Sequence, residues 1–123
     1  MKQNKTIILC FGDSNTYGYD PRSYLGDRYP GNVRWTGLLK EKTGLDIRNA
    51  GLPGREIPRF QYEMQQIQDR IRTIPLPLQF LIMLGSNDLL NGGSITARIV
   101  ADRMKNFLEF LISQDTFRSG TMQ

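Results

Sequence analysis

The 123-residue sequence contains no histidine and only one cysteine, Cys10. With one thiol, the chain can form neither an internal disulfide nor a thiolate metal cluster. Because histidines are absent and the carboxylates are not clustered, we expect no metal site and no cofactor. Cys10 lies inside a predicted strand, so we interpret it as a small buried core residue rather than a nucleophile.

Long hydrophobic runs are also missing. No segment approaches the length of a membrane span, and the first apolar run is too short for the core of a signal peptide and is followed by no small-residue cleavage site. We therefore expect a cytoplasmic protein with no membrane partner. A hydrophobic content of 39% with 23% charged residues indicates a globular chain, and its length suffices for one small domain.

The sequence has no basic cluster, although its formal net charge is +4. The arginines between Arg22 and Arg103 are spread along the chain and form no run. Nucleic-acid binding usually shows a clustered basic patch with interleaved aromatic residues. We interpret the charge as solvated surface and expect no nucleic-acid partner.

What the sequence does contain is an alternation of strand and helix patterns. Apolar runs that end in turn residues predict strands at Ile7–Phe11, Leu45–Asn49 and Leu78–Leu84. Helices are predicted after Asn32 as far as Thr43, from about Ile57 or Pro58 to Arg72, and after Ser94 as far as Ile112. This order predicts an α/β fold in which helices flank a parallel sheet.

Capping residues and apolar stripes support the helices. Asn32 and Ser94 are predicted N-caps, and Gly44 is a predicted left-handed stop. Each of the last two helices has an apolar stripe at 3.6-residue spacing that should face the sheet: Phe60, Met64, Ile67 and Ile71 in one, and Val100, Met104, Phe107 and Leu111 in the other. We predict a single domain spanning residues 1–123, in which residues 113–123 form a polar tail.

Each predicted strand ends in polar or glycine-rich residues, including Ser14, Gly54 and Asn87. In an open parallel sheet with strand order 2-1-3, the carboxyl ends of the strands meet at one edge, where ligands bind. We therefore expect these three residues to converge on one site. The long loop Gly18–Gly31 either shapes a pocket at that edge or is flexible surface.

The residues at the strand ends resemble the first three sequence blocks of the GDSL-type, or SGNH, serine hydrolases. The blocks are Gly12-Asp13-Ser14, Asn49-Ala50-Gly51-Leu52-Pro53-Gly54 and Gly85-Ser86-Asn87-Asp88. The runs Cys10-Phe11-Gly12-Asp13-Ser14 and Val33-Arg34-Trp35-Thr36-Gly37 look most like the arylesterase and acyltransferase branch. The resemblance covers about residues 5 to 112.

This resemblance implies a three-layer, flavodoxin-like α/β sheet and an esterase or acyl transferase that acts on small carboxylic esters. It implies Ser14 as the nucleophile and an oxyanion hole made by Ser14, Gly54 and Asn87. Such chemistry needs a base for the hydroxyl and donors for the oxyanion. The family's fourth block, Asp-x-x-His, which carries the base, has no counterpart here. The chain therefore resembles a C-terminally truncated domain, which we expect to be inactive or very weak alone.

Other interpretations of the same residues stay open. The chain could be a non-catalytic flavodoxin-like module whose loop Gly12–Thr16 holds a phosphate or mononucleotide, although the loop lacks the usual glycine spacing. It could also be a decayed hydrolase. Taken singly, Ser14, Gly54 and Asn87 could be turn or capping residues, and Asp13 and Asp88 are expected to orient loops.

The strand Leu78–Leu84 would be an apolar edge in the order 2-1-3, with unpaired backbone groups. Such an edge invites pairing with another chain, so we expect a homo-oligomer or aggregation.

Overall fold

Strands and helices succeed one another in the computed structural model, which describes residues 6–75 and 78–114. The elements are β1 (Ile7–Gly12), α1 (Ser14–Tyr17), α2 (Trp35–Thr43), β2 (Asp46–Gly51), α3 (Gln61–Arg72), β3 (Leu78–Met83), α4 (Ser86–Asn91) and α5 (Ala97–Ile112). Both neighbours pair with β1 in parallel, and the strand order is β2-β1-β3. The predicted α/β class is confirmed, and the strand order is the order 2-1-3 that the expected site requires.

The central strand β1 is buried along its whole length, as its uninterrupted apolar run predicts. On one face, residues such as Phe11 pack in a cluster with Phe107 of α5 and Ile71 of α3. On the other face, Ile8 and Cys10 pack with hydrophobic residues of β2 and α2. The sheet therefore lies between two helical layers, which is the predicted three-layer arrangement.

The two predicted apolar stripes differ in outcome. On α5, Phe107 and Leu111 are buried, and Val100 and Met104 pack against them as predicted. On α3, three of the four stripe residues pack against the core, but Phe60 is 54% exposed. The helix begins one residue later, at Gln61, and Phe60 keeps an extended backbone. The prediction that Phe60 faces the sheet is therefore wrong.

The predicted starts of all three long helices are wrong. α2 begins at Trp35, after an extended Arg34 that makes no side-chain cap, rather than directly after Asn32. α5 begins after Thr96, whose hydroxyl accepts the N–H of Ile99 at 3.3 Å, so Thr96 takes the role predicted for Ser94. α3 begins at Gln61 rather than at Ile57 or Pro58. Several nearby residues can cap a helix, and tertiary contacts choose among them.

The remaining boundaries are closer to the prediction. Gly44 ends α2 in the left-handed conformation, with φ of 69° and its N–H donating to the Lys40 carbonyl at 2.8 Å. β2 begins one residue after the predicted Leu45, and β3 ends at Met83 rather than Leu84. The short helices α1 and α4 were not predicted. Of the predicted polar tail, only residues 113 and 114 lie within the described ranges.

No helix in the described ranges has both the length and the apolar character needed to cross a membrane.

The strand β3 has an open edge and a partly uncovered face. It pairs with β1 on one side and with no other strand in the part of the chain that the structure describes. Leu81 and Met83 are 45% and 47% exposed, because α2 packs over β1 and β2 instead. The strand carries no charged residue, so nothing in it discourages pairing with another strand.

We expect a second copy of the chain to pair with this edge, so the protein should self-associate at micromolar concentration. Leu81→Lys places a charge on the exposed strand and should weaken the association. Sedimentation velocity over a concentration series measures the effect. Leu25→Lys, at a leucine that is 89% exposed in a loop, is the control. A wild-type chain that stays monomeric throughout the series would show the prediction to be wrong.

Cys10 is 1% exposed, and burial raises the pKa of its thiol above the ordinary value. This agrees with the prediction of a core residue. Because the thiolate is the reactive form, iodoacetamide should label Cys10 at least about 10³-fold more slowly in the folded protein than in urea, since labelling waits for unfolding. Mass spectrometry of timed samples measures this ratio, and rapid labelling without denaturant would contradict it.

Candidate active site at the carboxyl edge of the sheet

Ser14 is the first residue of the one-turn helix α1, directly after β1. The buried Asp13 precedes it and accepts the N–H of Asn15 at 2.9 Å, so Asp13 rather than Ser14 caps the turn. The Ser14 N–H belongs to the first turn of the helix and has no intrahelical acceptor. The backbone N–H of Ser14 is therefore left for a ligand, Ser14 lines the adjoining cavity, and Asp13 orients the loop as predicted.

Asn49, at the end of β2, fastens the Ser14 turn to the sheet. Its side-chain amide donates to the Thr16 carbonyl at 2.6 Å and to the Thr36 hydroxyl at 2.9 Å. Its side-chain oxygen accepts the N–H of Gly51 at 2.8 Å. One asparagine thus joins α1, α2 and β2, which fixes the position of Ser14 relative to the strand ends.

A cavity of about 490 Å³ adjoins Ser14. It is lined by Ser14, Asn15, Gly18, Tyr19, Pro21, Tyr29, Val33, Arg34 and Trp35. The loop is held by a bridge between Tyr19 and Arg28, and the Arg28 guanidinium lies 4.2 Å from the centre of the Tyr17 ring. The loop Gly18–Gly31 therefore shapes a pocket, the first of the two predicted alternatives.

Trp35 contributes to both the core and this pocket. It packs against the cluster of Ile8, Cys10 and Ile47 and also lines the cavity beside Ser14. One side chain therefore serves both core packing and the wall of the pocket.

The turn that carries Gly54 follows β2 and is fastened to the end of β1. Gly54 has φ of +80°, a conformation that favours glycine, and it is exposed. The Arg55 guanidinium donates to the Gly12 carbonyl at 3.1 Å and to the Ala50 carbonyl, and lies 4.0 Å from the centre of the Phe11 ring. The pKa of Arg55 is lowered mainly by burial and to a lesser extent by repulsion from the positive charge of Arg70.

Asn87 and Asp88 lie in α4, directly after β3. The Asn87 side-chain amide donates one hydrogen to the Arg55 carbonyl at 3.1 Å. An amide group has two hydrogens, and the second has no acceptor among the residues that the structure describes. Asp88 is fully buried and accepts the N–H of Ile57 at 3.1 Å, so it orients the neighbouring loop as predicted.

The three predicted site residues thus lie just beyond the carboxyl ends of three adjacent strands. Gly12 is in register with Gly51 and with Met83, so these ends share one edge of the sheet. Ser14 and Gly54 line different cavities, and the second, of about 430 Å³, is bounded by residues such as Arg55 and Phe60. This edge offers one hydroxyl, two backbone N–H groups and an amide.

Three residues hold this edge together in roles that were not predicted from the sequence: Asn49, Arg55 and Arg103. Arg103 could have been noticed, because it lies three residues after Val100 and four before Phe107, on the apolar face of α5. A charged residue at such a position signals a buried partner. Within the described residues, no cluster of three or more His, Cys, Asp or Glu side chains could hold a metal ion.

The chain is similar to one known protein family and to several solved structures. Residues 10–118 match the model of the GDSL-like lipase/acylhydrolase family. The aryl esterase of M. smegmatis shares 30% sequence identity with a TM-score of 0.73, and the match covers 89% of this chain and 55% of that one. A carbohydrate acetylesterase family member from Sinorhizobium meliloti shares 26% identity with a TM-score of 0.71, over 91% of this chain and 55% of that one.

An SGNH-hydrolase family esterase shares 25% identity with a TM-score of 0.58, over 90% of this chain and 55% of the other. A search among curated proteins found no match. The chain therefore spans about half the length of the solved structures to which it is similar.

Gly54→Ala should lower the free energy of unfolding by about 1 kcal/mol, because alanine is strained at positive φ. Nothing lies within 4 Å of the added methyl group, so the loss reports the backbone alone. Gly31→Ala is the control, since Gly31 has no positive φ and its methyl group would meet only the end of the Arg34 side chain. Urea unfolding measures both variants, and equal losses would contradict the prediction.

Proposed function

Because the chain belongs to the GDSL-like lipase/acylhydrolase family, we propose that it carries the nucleophile and the oxyanion hole of a carboxylic ester hydrolase. Ser14 attacks the ester carbonyl. The N–H groups of Ser14 and Gly54 and the side-chain amide of Asn87 donate to the oxyanion. The observation that carries the proposal is the shared edge on which these three residues lie, with Asn87 hydrogen-bonded to the residue that follows Gly54.

The chemistry proceeds in two steps. The Ser14 hydroxyl oxygen bonds to the carbonyl carbon while its proton leaves, and the resulting tetrahedral oxyanion collapses to release the alcohol. Water, or another alcohol, then attacks the acyl-serine and releases the acid or a new ester. Both hydrolysis and acyl transfer fit this sequence. Donors that are already oriented by hydrogen bonds stabilise the oxyanion without further reorganisation.

The base that removes the Ser14 proton is missing from this chain, which has no histidine. The two carboxylates nearest the site residues in sequence are already engaged. Asp13 accepts the N–H of Asn15, and Asp88 is paired with Arg103. We therefore propose that the 123-residue chain alone is a very weak esterase.

Small esters fit the proposed site best. The cavity beside Ser14, at about 490 Å³, is in the range of small-molecule pockets. The similar proteins include an aryl esterase and a carbohydrate acetylesterase family member, both named for ester cleavage. Esters with a short acyl chain are therefore the first substrates to try.

The alternative of a phosphate-holding module is less favoured. A phosphate needs free backbone N–H groups and no negative charge beside them. Here the Asp13 carboxylate already accepts the N–H of Asn15 and places its own negative charge in the loop Gly12–Thr16.

Nitrophenyl acetate tests the proposed activity. In serine hydrolases, loss of the base costs about 10⁶-fold in turnover, while the remaining site retains roughly 10³-fold over water. We expect the chain alone to hydrolyse the ester barely above background. A version extended by a C-terminal segment with Asp-x-x-His should gain activity that Ser14→Ala abolishes and Asn87→Ala reduces about 10²-fold or more.

The paired control is Ser94→Ala, which removes the hydroxyl of an exposed serine that lines neither of the two cavities at the strand ends and should leave the activity unchanged. Rapid hydrolysis by the unextended chain that depends on Ser14 would mean that another base is present. Activity in the extended version that survives Ser14→Ala would overturn the proposed nucleophile.

A further inference from the structure

We infer that Arg103 is a positioning residue that holds together the two loops of the proposed oxyanion hole. One is the turn that carries Gly54, and the other is the segment after β3, where Asn87 lies in the short helix α4. This inference rests on the proposed function, because it assigns Arg103 a part in the geometry of that site. Arg103 itself lies on α5, outside the three strand ends.

The Arg103 guanidinium reaches both loops at once. Its Nη1 atom lies 2.9 Å from Oδ2 of Asp88, the residue after Asn87, and 3.6 Å from Oε1 of Glu56, two residues after Gly54. The Arg103 side chain is 14% exposed and that of Asp88 is fully buried. The cation thus neutralises a carboxylate that water does not reach.

Two further hydrogen bonds join the same loops. The other Asp88 oxygen, Oδ1, accepts the N–H of Ile57 at 3.1 Å. The Asn87 amide donates to the Arg55 carbonyl at 3.1 Å. Two hydrogen bonds therefore link segment 55–57 to α4, one from the Asn87 amide and one to the Asp88 carboxylate. Arg103 balances the charge of that carboxylate.

The charge balance explains why Arg103 affects Asn87. A buried carboxylate without a cation is costly, and the cost is relieved when the carboxylate takes up a proton, rotates toward water or admits water, each of which changes the hydrogen bonds it accepts. Asp88 and Asn87 are adjacent in the six-residue helix α4, so reorientation of one disturbs the other. Removing the Arg103 charge should therefore loosen the hydrogen bond from Asn87 to Arg55.

A residue that only stabilises the fold would behave differently. Its loss would lower the free energy of unfolding while the folded site kept its geometry. The test must therefore report on the Asn87 amide in the folded protein, and it must not depend on esterase activity.

The experiment is NMR of the full 123-residue chain carrying Arg103→Met. We expect the side-chain amide resonances of Asn87 and the backbone amide resonance of Gly54 to shift. We also expect the Asn87 side-chain amide hydrogens to exchange with water roughly tenfold faster, the factor that corresponds to about 1.4 kcal/mol. The control is Lys105→Met, which removes a cation from an exposed pair with Glu109 on the same helix and should change neither observation.

Two further variants keep the inference testable if Arg103→Met does not fold. Arg103→Lys keeps the charge without the planar fork, so its effect on Asn87 should be smaller than that of methionine. Asp88→Asn keeps an oxygen for the Ile57 N–H but removes the charge that Arg103 balances, and it should shift the Gly54 resonance. The inference is wrong if the folded variants leave Asn87 and Gly54 unchanged, or if Lys105→Met changes them equally. Because no readout is catalytic, failure here is distinct from loss of the Ser14-dependent activity.

Discussion

The burial of β1 on both faces is the constraint on which the rest of the structure depends. Every residue of this strand is buried, so it needs a neighbouring strand on each side and helices above and below. Because all the pairings are parallel, the carboxyl ends of the three strands meet at one edge. The proposed site therefore lies where it does because β2 and β3 both pair in parallel with the buried strand β1.

A few polar contacts fix the positions of the loops at that edge of the sheet. Asn49 fastens the Ser14 turn, Arg55 fastens the Gly54 turn, and Asp88 with Arg103 fastens α4. Each contact satisfies buried donors or acceptors that would otherwise be costly. The polar groups thus fix the loops relative to one another, while the apolar core fixes the strands and the long helices packed on them.

The strands and the positions of Ser14, Gly54 and Asn87 at their ends could be predicted, because apolar runs and turn residues are local signals. The strand order could only be assumed, because it depends on pairing between segments that are distant in sequence. The helix starts could not, since Asn32, Ser94 and Thr96 are all capable caps and only packing selects among them. The partners of Asn49, Asp88 and Arg103 are distant in sequence, so no local pattern reveals them. The residues of the site are visible in the sequence, whereas the contacts that orient them are not.

The pairing of β1 with β3 also bears on how the chain folds. Ile7 pairs with Leu78, so β1 completes its hydrogen bonding only after the chain has been synthesised through β3. Parallel pairing between such distant segments forms slowly, because the entropy of closing a long loop is lost before any stabilising contact forms. Until β3 has been synthesised, β1 can pair only with β2, so the other edge of β1 remains unpaired and apolar. Chaperone binding to nascent chains should therefore be strongest before residue 83 emerges from the ribosome.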